Sequence, residues 1–199
     1  MSAFPAVDLG LVTIFWYALA ALAALALVAA SPLPAALFWA VGVGLHAALA
    51  IVELAQALGF SGLAGLAPDL RFQAATLGSL GLGFGALFSV ALPPRARYRP
   101  VLSAVAIAVL MASWAGRLPV DLLPIPLLVL GMLMLAILVG LRHRPAPARW
   151  LFVGTLLLAL AELGRHRFLP GFGLAPEDLG RAILAAALPC FGLAARASR

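Results

Sequence analysis

An all-α integral membrane protein, a bundle of seven transmembrane helices, is the fold class that this sequence predicts, and three observations predict it. Hydrophobic residues make up 65% of the 199 positions and charged residues 10%, against about 25% charged in a typical soluble domain. Seven apolar stretches approach the ~20 residues that a helix needs to cross a bilayer. The breaks between them gather proline and arginine. A soluble chain this apolar would have to expose an apolar exterior, so lipid is the expected solvent and one polytopic domain over 1–199 the expected organisation.

The spans fall at 9–29, 34–58, 73–92, 100–117, 121–141, 148–166 and 178–196. Ser31-Pro32-Leu33-Pro34, Pro93-Pro94 with Arg95, Arg97 and Arg99, and Arg142-His143-Arg144-Pro145 separate them, because proline cannot continue a helical ladder. The first stretch exceeds the h-region of a signal peptide and follows a tail without a basic residue, so it is expected to be a retained helix. The fourth is the shortest.

All thirteen basic residues are arginine, which points to an arginine-biased genome and, with this composition, to a bacterial inner membrane. With seven spans, Arg95, Arg97, Arg99, Arg142, Arg144, Arg149, Arg196 and Arg199 share the side of the C-terminus. Arg71, Arg117, Arg165, Arg167 and Arg181 share the other side with Asp8, Asp69, Asp121, Glu177 and Asp178. The positive-inside rule then places the N-terminus out and the C-terminus in. The net charge of +6 therefore reads as topology and lipid-phosphate anchoring, and no nucleic-acid partner is expected.

Two segments echo each other: "ALAIVELAQALGFSGLAGLAPDLR" (Ala48–Arg71) and "LLALAELGRHRFLPGFGLAPEDLGR" (Leu157–Arg181). Glu53 aligns with Glu162 and, after a one-residue gap, Gly65-Leu66-Ala67-Pro68 with Gly173-Leu174-Ala175-Pro176. Glutamate is rare here, which gives the joint match its weight. The implied duplication is parallel, with repeats over 8–92 and 120–196 and a linker helix at 100–117, and binding sites of such transporters lie at the repeat interface. The three-plus-one-plus-three layout is similar to that of the SWEET sugar transporters. The analogy is architectural, since the Pro-Gln dipeptide of that broader family is absent.

The second span carries Trp39, Gly42, His46, Glu53 and Gln56 on one helical face. An acid within a span is costly and points to a proton or cation path or to a buried hydrogen bond. Glu162 is spaced to pair with Arg165 or His166, or to face Glu53 across a shared outward-opening cavity, with Thr155 at the position corresponding to His46. Arg181 either neutralises a glutamate or snorkels to lipid phosphate. Candidate ligand- or proton-binding residues are thus Glu53, Glu162, His46, Thr155 and Arg181. Gly78, Gly81 and Gly85 suit close helix packing within the bundle or in a dimer, and Pro189 inside the last span is a candidate hinge. Trp16, Tyr17, Trp114 and Trp150 fit an aromatic belt, as could Trp39.

No zinc or di-iron ligand cluster, nucleophile triad, phosphate-binding glycine loop or Schiff-base lysine is present in the sequence. No catalytic residue, metal or cofactor is expected. The leading functional reading is a small-solute or proton- or cation-coupled transporter. The alternative is a non-catalytic membrane subunit, sensor or assembly factor, with a homo-oligomer or membrane partner. A lipid-directed enzyme using both glutamates as acid and base stands third.

Overall fold

The computed structural model describes residues 9–29, 31–93, 96–115, 125–165 and 175–199, and these form seven helices with no strand among them. They are α1 (Leu9–Val28), α2 (Ala35–Ala57), α3 (Leu66–Ala91), α4 (Arg99–Trp114), α5 (Ile125–His143), α6 (Pro145–Arg165) and α7 (Pro176–Ala197). All except α4 are long and apolar enough to cross a membrane, so the chain is a multi-pass membrane-embedded protein. Helix α4 has 16 residues, about 24 Å at 1.5 Å per residue, and falls short of a ~30 Å hydrocarbon core.

Local chemistry sets the boundaries. Helix α2 stops in a Schellman turn: Gly59 takes a φ of 98°, Phe60 N–H donates to the Ala55 carbonyl and Gly59 N–H to that of Gln56. Helix α3 begins at Leu66, earlier than the apolar run at 73, because Pro68 in a first turn gives up a donor that has no partner there anyway. For the same reason α6 starts at Pro145 rather than 148. Helix α3 contains two wide turns of π type, Ala74–Gly78 and Leu87–Ala91.

The helices close a ring in the order α1, α2, α3, α5, α6, α7 and back to α1, with α4 resting lightly on α3. Helix α3 is the most enclosed, with 72% of its spanning window buried against 33% for α1, α5 and α6. Its approach to α2 is set by glycine. A Cβ on Gly81 would stand 2.6 Å from Gly42 N, and one on Gly85 2.6 Å from the Trp39 ring, so backbones touch where side chains would hold them apart. Gly78 lies alongside, 3.6 Å from the His46 ring by the same measure. The stripe 78, 81 and 85 thus packs inside the bundle.

Polar contacts mark the two ends. The C-terminal half of α2 meets the N-terminal turns of α1, α3 and α7 at one end, around Glu53. The ends of α3 and α7 meet the α5–α6 junction at the other, around Ser198. Around the ring α1/α2, α2/α3, α5/α6 and α6/α7 therefore run antiparallel, whereas α3/α5 and α7/α1 run parallel.

The aromatic expectation divides. Trp16, Trp114 and Trp150 are exposed on the bundle surface, whereas Tyr17 and Trp39 are fully buried and cannot belong to an interfacial belt. Each has a polar partner inside: Tyr17 Oη lies 2.9 Å from His46 Nδ1, and Trp39 Nε1 donates to Ser89 Oγ at 3.3 Å. Their polar tips are satisfied within the protein, so these rings gain nothing from the headgroup layer.

Candidate functional site

Glu53, His46 and Trp39 recur every seventh residue on α2, about 10.5 Å apart along its axis, and all three are buried. Each has its polar partner outside α2: Ser89 of α3 for Trp39, Tyr17 of α1 for His46, and Arg71 of α3 with Arg181 of α7 for Glu53. Two arginines clamp the Glu53 carboxylate. Arg71 of α3 donates through Nη2 at 2.7 Å and Nε at 3.1 Å to Oε1, and Arg181 of α7 donates through Nε at 3.0 Å to Oε2. Arg181 also donates to Asp178 Oδ1 at 2.7 Å, and Thr13 of α1 reaches the same oxygen at 3.4 Å. Four helices are joined through one 6%-exposed glutamate and its neighbours. Arg181 is therefore a partner of Glu53 rather than a snorkelling anchor.

Arg71 is the residue that sequence reading missed. It stands 18 positions from Glu53, beyond any intrahelical spacing, and only the α2–α3 hairpin brings the two together. A signal did exist: a buried carboxylate needs a cation, and few arginines lie at this end of the chain.

Beside the cluster, a cavity of about 450 Å³ opens between α3, α5 and α6, with α2 and α7 behind. Its walls are mostly leucine and alanine. Polar groups reach it from five places, His46, Arg71, Ser79, Thr155 and Glu162. His46 and Thr155 are buried, while Arg71, Glu162 and Leu127 are exposed, which gives a buried floor and an open mouth. Thr155 Oγ1 donates to the Leu151 carbonyl of its own helix at 2.7 Å, leaving its oxygen lone pairs for a ligand. The first wide turn of α3 supplies Ala74 and Ala75 to the wall. Single π-type turns occur frequently at functional sites.

Of the predicted residues, His46, Thr155 and Glu162 come together on this cavity, and Glu53 and Arg181 form the ion cluster behind it. Glu53 itself is not on the described lining; Arg71 stands in both groups. The two glutamates thus occupy unlike surroundings, one buried and clamped, the other exposed at the mouth. The side chain of Arg165, with His166 and Arg167, lies outside the described residues, as do Gly173 and Leu174 of the second Gly-Leu-Ala-Pro segment. Pro189 lies inside α7 among buried residues, where α6 packs so close that a Cβ on Gly154 would be 3.2 Å from the Cys190 Cβ. Among the described residues no group of three or more His, Cys, Asp or Glu side chains is placed to hold a metal ion.

Comparison with known proteins finds no matching family model, no similar curated protein and no similar solved structure.

Proposed function

We propose that this protein is a membrane carrier for a small amphipathic solute, bound in the cavity between α3, α5 and α6. One observation carries the reading: a pocket of ligand size with apolar walls, on which a few polar groups converge at floor and mouth. A hydrophilic solute would find too few partners along those leucines. A molecule with an apolar body and a polar or acidic head would satisfy the walls and Arg71 together. The exposed apolar rim at Leu127 and Leu163 suits entry from the lipid side. Glu162 and His46 are the groups through which a proton or cation would couple to the solute.

The ring order supports the duplication reading. Matching α1, α2 and α3 to α5, α6 and α7 maps each neighbour onto a neighbour, and α4 stands outside as the linker. With the arginine-rich Ser198 end inside, the cavity opens outward, as expected of a bacterial inner-membrane carrier. Glu162 is the one carboxylate on the described lining, which weighs against paired acid–base catalysis there. A second reading, a membrane subunit, is favoured by α4, where only Ala106, Leu110 and Ser113 are buried and a long apolar face is left for a partner.

Native mass spectrometry of the gently solubilised protein tests the carrier reading. Wild type should retain a small molecule that Ala159→Trp, which blocks the mouth, and Glu162→Gln release. The same variants should abolish flux of that molecule in proteoliposomes. A ligand held equally by all three proteins, or a protein partner lost on altering α4 with no small molecule bound, would replace the carrier by the subunit.

A further inference from the structure

At the Ser198 end a second cavity, about 520 Å³, is lined by Arg99, Arg144, Ser89, Ser103 and Ser198 with a rim of prolines. It belongs to none of the groups discussed above. Arg99 opens α4, and Arg144 is the single residue between α5 and α6. Both reach for the end of α3: Arg99 Nη2 donates to the Phe88 carbonyl at 2.9 Å and Arg144 Nη1 to that of Ser89 at 3.0 Å. Arg144 Nη1 also donates to the Ser198 carbonyl at 3.1 Å.

These contacts account for only part of what the two guanidiniums offer. Each has five N–H donors, and Arg99 Nε is buried with no hydrogen-bond partner. Charge is less balanced still. The described acidic side chains Glu53, Asp69, Glu162, Glu177 and Asp178 belong to the opposite end of the bundle, and Asp8 and Asp121 lie outside the described residues. The carbonyl ends of α3, α5 and α7 contribute about half a negative charge each and the amino ends of α4 and α6 about half a positive charge each, which with the two guanidiniums leaves a net of about +1.5. Burial, and after it the charge of Arg144, lowers the Arg99 guanidinium from its ordinary pKa, as expected of like charges in one site.

We infer that this cavity binds a phosphate-type oxyanion between Arg99 and Arg144. Guanidinium forks match phosphate oxygens in pairs, and basic pockets between membrane helices hold anionic lipid head groups. The volume exceeds the need of a bare ion and accommodates a phosphodiester with its glycerol. Ser103, whose hydroxyl donates to the Arg99 carbonyl at 2.9 Å, lines the same space.

The test titrates the purified full-length chain in neutral detergent with phosphatidylglycerol, phosphatidylcholine or inorganic phosphate, reading thermal stability and bound mass. Phosphatidylglycerol should bind at least tenfold more tightly than phosphatidylcholine, and Arg99→Gln should remove that preference. Protection by phosphatidylglycerol alone identifies a lipid head group, and equal protection by inorganic phosphate identifies the free anion. Both outcomes support the site. If neither phosphatidylglycerol nor phosphate outdoes phosphatidylcholine, or if the preference survives Arg99→Gln, the inference is overturned. Should Arg99→Gln fail to fold, Ser103→Phe, which fills the cavity and keeps both arginines, decides in its place.

Discussion

Replacing Glu53 by glutamine removes the anion that two guanidiniums share while keeping the shape of the side chain. The cost can be worked from exposure. Arg71 is 53% exposed, so its bond to Glu53 counts as a surface pair, worth about 0–1 kcal/mol. Arg181 is 16% exposed and would lose its buried partner. Breaking such a pair from one side costs about 3–5 kcal/mol when the remaining charge is stranded. Arg181 is not stranded, because Asp178 stays 2.7 Å away, and roughly half that figure is expected. The sum is about 1.5–3.5 kcal/mol, a fall in Tm of roughly 3–14 °C at this chain length. Thermal unfolding in detergent, followed by intrinsic tryptophan fluorescence, reads it directly. Arg181→Gln should cost at least as much, since Glu53 would keep only the exposed Arg71, and Arg71→Gln should cost least. The Glu53→Gln/Arg181→Gln double variant should fall short of additivity by about 1–3 kcal/mol. A Glu53→Gln protein melting at or above wild type, or Arg71→Gln as the most damaging change, would refute the assignment of the clamp.

Gly81→Ala should destabilise by about 1–3 kcal/mol through overpacking against the Gly42 backbone, whereas Gly44→Ala, with nothing within 4 Å of the new Cβ, should gain about 0.5–1 kcal/mol. The same melting assay compares them, and equal effects would dismiss the close approach of α2 and α3. Tyr17→Phe removes the buried hydroxyl beside His46 Nδ1 and should cost about 1–2 kcal/mol; a neutral result would mean that the bond is not formed in the bilayer. Arg144→Gln unfastens the ends of α3 and α7, and hydrogen exchange should rise at residues 195–199 while the Glu53 end stays protected.

Composition made the membrane helices legible, and punctuation placed most of their ends within a few residues. Where the boundaries differ, a helix begins before its apolar run with proline in its first turn: Pro145 stands inside α6 rather than in the break before it, and α3 opens at Leu66 with Pro68 in its first turn. The polar stripe on α2 was legible from its sevenfold spacing, because the few polar side chains in an apolar helix stand out. Its partners were not. Most of these helices are apolar on every side, so periodicity does not tell which face turns inward. Tyr17 could thus be assigned to an interfacial belt when it packs against His46. Arg71 and Ser89 are recognised only once α3 lies against α2. The cavity follows from the ring order, which depends on contacts between segments far apart in sequence.

That ring order imposes a timetable on biosynthesis. Helix α1 packs along α7, and Thr13 meets Asp178 across 165 positions. At about 5–20 residues per second, translation needs roughly 8–33 s to deliver that partner after Thr13 has emerged. Throughout that interval the face of α1 carrying Ala21, Ala24 and Val28 lacks the last helix of the ring. Every round of synthesis therefore passes through an unclosed bundle, and α7, the last helix made, is the element that closes the ring.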